Sequence, residues 1–75
     1  MSESANDKAF IKDFGANLRR IRKSKKMSME DLSHVADMEY SQISRIERGV
    51  INTKISTVNA LARALEIPVK DLFEF

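Results

Sequence analysis

Two sets of residues in this chain carry groups that could do chemistry. The first, Ser28, Asp31, Ser33 and His34, puts a nucleophile, a carboxylate and a base within residues 28–34. A hydrolytic triad needs such groups to converge on a pocket with an oxyanion site. Here they crowd one short segment, so catalysis is a poor reading and no enzyme is expected. The single histidine has no second ligand at useful spacing, and a chain without cysteine offers neither thiolate metal ligands nor disulfides. No metal and no cofactor is therefore expected. The second set, Tyr40, Ser41, Gln42, Ser44 and Arg45, is a run of hydrogen-bonding side chains that includes an arginine. Its chemistry is recognition. An arginine fork can bond guanine O6 and N7 together, serines can meet a base edge or a phosphate, and a tyrosine can pack on a thymine methyl.

That run faces outward only if the apolar residues around it face inward. Leu32 and Ala36 are four apart, one face of a helix, and Ile43 and Ile46 are three apart on another. The phase breaks at Asp37, Met38 and Glu39, so no single helix keeps all of these inward, whereas two short helices joined by a bend do. This is a helix-turn-helix over about residues 29–48, a motif suited to laying its second helix in the major groove of DNA. Ser28 is a good N-cap for the first of the two helices, and Asp31 completes a capping-box pattern. The helix is expected to end near Ala36, with Asp37 in the left-handed turn position that aspartate tolerates better than most residues. The second helix should run from Tyr40 to about Arg48 and stop at Gly49.

The remaining elements follow from similar signals. Residues 1–6 read as a frayed terminus and 7–75 as one domain. Asn6 or Asp7 is a candidate cap for a first helix reaching about Lys25, with Phe10 or Ile11, Phe14, Leu18 and Ile21 buried. Gly15 inside that helix carries a propensity cost that a close backbone neighbour would explain. Val50–Lys54 should form a loop, followed by a fourth helix with Ile55, Val58, Leu61, Ala62 and Leu65 inward. Pro68 suits the start of a last short helix bearing Val69, Leu72 and Phe73. Met27, Met29 and Met38 read as core filling. The expectation is an all-α, compact five-helix bundle.

Seventy-five residues make one domain with a single core. No apolar run approaches the roughly 18 residues that cross a bilayer, so no membrane partner is expected and the location reads as cytoplasmic. Net charge is only +2, yet Arg19, Arg20, Arg22, Lys23, Lys25 and Lys26 gather in one short stretch. Such a run on a small helical domain fits a polyanion.

The residues from Phe10 to Glu74 then resemble the phage-repressor and Cro-like helix-turn-helix domains of the XRE family. The matching pieces are FGANLRRIRKSKKMSMEDLS, ISRIERG with Asn52 three residues beyond it, and ALARALEIPVKDLF. Their order is more specific than any one of them. The resemblance implies the lambda-repressor-like fold and a transcriptional regulator, similar to small restriction–modification controller proteins, acting as a nucleoid-associated homodimer on a palindromic operator. It implies base reading by Tyr40, Ser41 and Arg45, with Gln42 and Ser44 beside them. It implies phosphate contacts at Ser28, Met29, Asn52 and Lys54, and an ion pair of Arg22 with Glu47 that locks the recognition helix onto the first helix, with Arg22 also facing a phosphate. Departures from the family pattern are Met29 in place of a DNA-touching glutamine, Ser33 in place of alanine, Asp37 in place of glycine, Glu39 in place of serine or threonine, and Thr53 in place of proline.

The carboxyl end is more apolar than a monomer of this size would expose, which points to a two-fold contact through Ile67, Val69, Phe73 and Phe75. The partners expected are double-stranded DNA and a second copy. A small-molecule ligand is not, since the chain has no room for a sensing domain. A protein-interaction module that keeps the fold without reading bases is the alternative, favoured by Met29 and Glu39.

Overall fold

Ser4 starts the first helix. Its hydroxyl accepts a bond from the Asp7 N–H at 3.1 Å, and the Asp7 carboxylate accepts one from the Ser4 N–H at 3.3 Å. That reciprocal cap places α1 at Ala5–Ser24, two or three residues earlier than Asn6 or Asp7 as cap would have it. The computed structural model describes residues 4–75. Residues 1–3 of the stretch expected to fray lie outside them, whereas Ser4, Ala5 and Asn6 are the cap and first turn of α1. After α1 come α2 (Met29–Ala36), α3 (Tyr40–Glu47), α4 (Ile55–Leu65) and a 3₁₀ turn (Val69–Phe73), with no strand among the described residues. The five expected helices are thus four α-helices and one 3₁₀ turn. The last is tight because Asp71 N–H bonds back to Pro68 O at 3.0 Å, while Asn17 Nδ2 holds the Asp71 and Leu72 carbonyls at 3.0 and 2.9 Å.

Each α-helix ends at or just before a residue in the left-handed region, Lys26 at φ 58° in the case of α1. Asp37 sits in the left-handed region at φ 54°, ψ 50°, and Glu66 does the same after α4 at φ 56°. Gly49 follows α3 at φ 69°, its N–H bonded to Ile46 O at 3.0 Å. A side chain at Gly49 would also press on the Lys12 backbone, so both conformation and space call for glycine there.

The core joins Phe14, Leu18 and Ile21 of α1 to Leu32, Ile43, Ile46, Val58, Leu61, Ala62, Leu65 and Leu72. α1 packs on α3 and on the 3₁₀ turn, and α2 packs on α3 and α4. Met27, Met29 and Met38 fill gaps against this core. Ile55 departs from its expected inward position: it is 87% exposed. Its spacing from Val58 and Leu65 sets the direction in which it points, but no described residue covers the first turn of α4 there. Where α1 crosses α3, Gly15 is the contact. A Cβ on it would overlap the Ile46 and Glu47 carbonyl oxygens, which is why the helix carries a glycine at this position.

Candidate nucleic-acid interface

Ile43 and Ile46 are buried, which fixes the rotation of α3. Its other side then turns outward: Tyr40, Ser41 and Arg45 are exposed, and Gln42 and Ser44 are half-buried at the edges. Arg45 enters no ion pair among the described residues, so its guanidinium is free to meet a ligand. Arg48, which lies outside the expected set, reaches back along the helix and donates from Nε to Ser44 Oγ at 3.2 Å. It adds a second arginine to this side, legible in principle as the residue four after Ser44.

Beside α3 lies the amino end of α2. Ser28 and Asp31 close a capping box, with Ser28 N–H on Asp31 Oδ2 and Asp31 N–H on Ser28 Oγ, both at 2.9 Å. The Ser28 N–H first, and its hydroxyl second, hold the Asp31 carboxyl below the ordinary value of 3.8. This spends the Ser28 N–H on Asp31 while Ser28 Oγ accepts the Asp31 N–H, so a phosphate at this end would draw the hydroxyl proton away from the Asp31 carboxylate. The Met29 side chain is half-buried against the core, so only its backbone N–H faces the same task. Asn52 and Lys54 are exposed on the loop after α3, with Lys54 the N-cap residue of α4.

Beneath this surface Arg22 grips Glu47. Nε donates to Glu47 Oε2 at 2.6 Å and Nη2 to Oε1 at 3.0 Å, a two-point fork between side chains only 7% and 5% exposed. The bond to Glu47 is the main reason the Arg22 pKa is raised, against the opposing effect of burial. Nη1 donates to Met27 O at 2.7 Å. One guanidinium therefore ties α3 and the turn entering α2 to the same point on α1. This placement serves the ion pair more directly than the phosphate contact also expected of Arg22.

The expected dimer residues divide. Ile67 packs in part against the core, while Val69, Phe73 and Phe75 are exposed at 40–53% of their surfaces. Phe73 stacks on Phe10 with ring centres 6.1 Å apart and tilts against Phe14 at 5.1 Å, and Phe75 meets Phe10 at 5.4 Å. His34 is exposed, and no group of metal-ligating residues occurs among the described residues. No described helix is long and apolar enough to cross a membrane.

A helix-turn-helix family model, HTH_3, matches residues 18–72. The control protein C.BamHI of Bacillus amyloliquefaciens is 40% identical over 63 residues, 83% of this chain and 78% of its own length. The crystal structure of the restriction-modification controller protein C.AhdI from Aeromonas hydrophila superposes with a TM-score of 0.85 at 34% identity, over 87% of this chain and 98% of that one. The controller protein C.Esp1396I, solved as a tetramer in complex with its natural 35 base-pair operator, superposes at 0.81 with 28% identity, over 96% and 90% of the two chains.

Proposed function

Because this chain belongs to the HTH_3 helix-turn-helix family, we propose that it is a sequence-specific DNA-binding transcriptional regulator that reads a palindromic operator as a homodimer. It acts as a repressor of controller type in the cytoplasm, at the nucleoid. The family is one of transcription regulators rather than enzymes. A single observation carries the reading: with Ile43 and Ile46 buried, Tyr40, Ser41 and Arg45 on the other side of α3 are exposed and enter no side-chain hydrogen bond among the described residues.

In the complex, α3 enters the major groove. Arg45 bonds a guanine edge, while Tyr40, Ser41 and Gln42 meet neighbouring bases and Ser44 is held at the rim by Arg48. The Ser28 hydroxyl, the Met29 N–H, Asn52 and Lys54 bind phosphates on either side and set the register. A homodimer places two such helices about 34 Å apart, one turn of the duplex, which a single copy cannot span.

The test is binding measured against salt. Affinity for random duplex should fall steeply, with a log–log slope near −0.9 per phosphate contacted, and selection from random sequences should yield a two-fold symmetric site. A salt-insensitive interaction would instead favour the protein-interaction module.

A further inference from the structure

Glu39 stands immediately before Tyr40 and Ser41, at the end of α3 that a recognition helix presents to base edges. It is exposed, and as the N-cap residue it makes no side-chain bond to the free N–H groups of the helix. It enters no ion pair among the described residues. The hollow between α2 and α3 that it lines is shared with Glu30, His34 and Asp37, and no lysine or arginine stands in its walls. We propose that Glu39 is a base-reading residue whose carboxylate accepts a hydrogen bond from the N4 amino group of a cytosine in each half-site. This assignment rests on the DNA reading above and deepens it at one base pair.

The ligand follows from what a carboxylate can do in a groove. When ionised it only accepts hydrogen bonds, and toward a phosphate it has nothing but repulsion. Carried into DNA, it costs affinity unless a donor meets it. In the major groove the donors are the amino groups of cytosine and adenine. Adenine sets its N7 lone pair beside the amino group, so the second carboxylate oxygen would face an acceptor there. Cytosine has no acceptor on that side. Guanine and thymine present O6 and O4, and an acceptor facing an acceptor rejects both.

The local structure gives Glu39 no other employment. Ser4 and Ser28 begin α1 and α2 with hydroxyls that accept helix N–H groups, whereas Glu39 begins α3 without such a bond. A serine in its place would cap the helix. Glutamate instead puts a charged acceptor on a longer arm, and no group of the described chain takes it up. The same charge weighs against duplex that offers no matching amino group. Removing it should therefore raise affinity for random DNA while lowering preference, two changes of opposite sign.

The test is selection from random duplexes, with titration at fixed salt, for wild type, Glu39→Gln and Glu39→Ser, each checked by circular dichroism. Wild type should fix cytosine at one position of each half-site. Glu39→Gln should move that position to adenine, whose N6 and N7 a glutamine bonds together. Glu39→Ser should lose about tenfold in discrimination at that position alone, while melting no lower than wild type because serine caps α3. Both variants should bind random duplex more tightly than wild type. If every position of the selected site is unchanged, or all weaken together, Glu39 reads no base and the assignment falls while DNA reading stands. It falls equally if the position that responds is not cytosine in wild type. Failure of wild type to select any site would remove the DNA reading itself, and this assignment with it.

Discussion

The two sides of α3 are finished differently. On the inner side, Ile43 and Ile46 are buried, Glu47 is forked by Arg22, and the helix backbone rests on Gly15 with no room for a methyl group. No buried side-chain polar atom among the described residues lacks a partner. On the outer side, Tyr40, Ser41 and Arg45 are exposed, and their side chains enter no hydrogen bond among the described residues. The contrast separates two jobs in one eight-residue helix. Inner residues set the position of α3, and outer residues are left for a ligand that the fold does not supply. Substitutions should therefore sort by side: inner ones should change stability, and outer ones should change binding.

The largest test of that division is Glu47→Ala. It leaves the Arg22 guanidinium buried and unpaired, which costs about 3–5 kcal/mol, a large part of the stability of a domain this small. Chemical denaturation should show the unfolding free energy falling by that amount, while Arg45→Ala leaves it within about 0.5 kcal/mol of wild type. Equal midpoints for Glu47→Ala and wild type would erase the distinction between the sides. Gly15→Ala comes next. The added methyl must displace α3 from α1, and overpacking of this kind costs about 1–3 kcal/mol. The same substitution at a free helical surface would be stabilising, so even the sign of the change is informative.

On the outer side the expected effects are on recognition. Arg45→Ala should cost about 1–3 kcal/mol of discrimination at one base pair of each half-site, read as relaxed selection from random duplexes. Lys54→Ala should weaken binding to all sequences alike and lower the salt slope by about one. If both variants lose affinity without any change in sequence preference, the outer side is an electrostatic surface and reads no bases.

How much of this was legible in the sequence follows the same division between local and distant causes. The bend at Asp37, the Ser28–Asp31 cap and the stop at Gly49 depend on residues within a few positions of one another, and the structure places all of them as the sequence implies. Gly15 was legible as a sign of close approach, though the partner backbone was not named by the sequence. Ile55 was misplaced because helical phase gives direction without saying whether a neighbour exists. The sequence points to Asn6 or Asp7 as the cap of α1, and the reciprocal bond between Ser4 and Asp7 is what moves the start to Ser4. The two bonds from Asn17 to the 3₁₀ turn span more than 50 residues and left no local trace. The Arg48 contact to Ser44 spans only four residues, yet the pattern of apolar positions that located α3 says nothing of it.

The smallest effect concerns how α2 is held beside α3. The Asp31 carboxyl is pulled below its ordinary 3.8 by the Ser28 N–H and hydroxyl. A depressed carboxylate adds stability at pH values above its unfolded value, and that contribution disappears as pH falls through the folded one. Thermal melts should therefore show a constant gap between wild type and Asp31→Asn from neutral pH down to about 5, narrowing once pH drops below 3.8. Because the cap serves α2 rather than the outer side of α3, base preference should be unchanged in this variant at neutral pH. A gap that stays constant through the acid range would mean that the carboxylate charge contributes nothing there. In that case the cap would act through the Ser28 hydroxyl alone, and Ser28→Ala should then show the full loss, about 0.5–2 kcal/mol, at every pH.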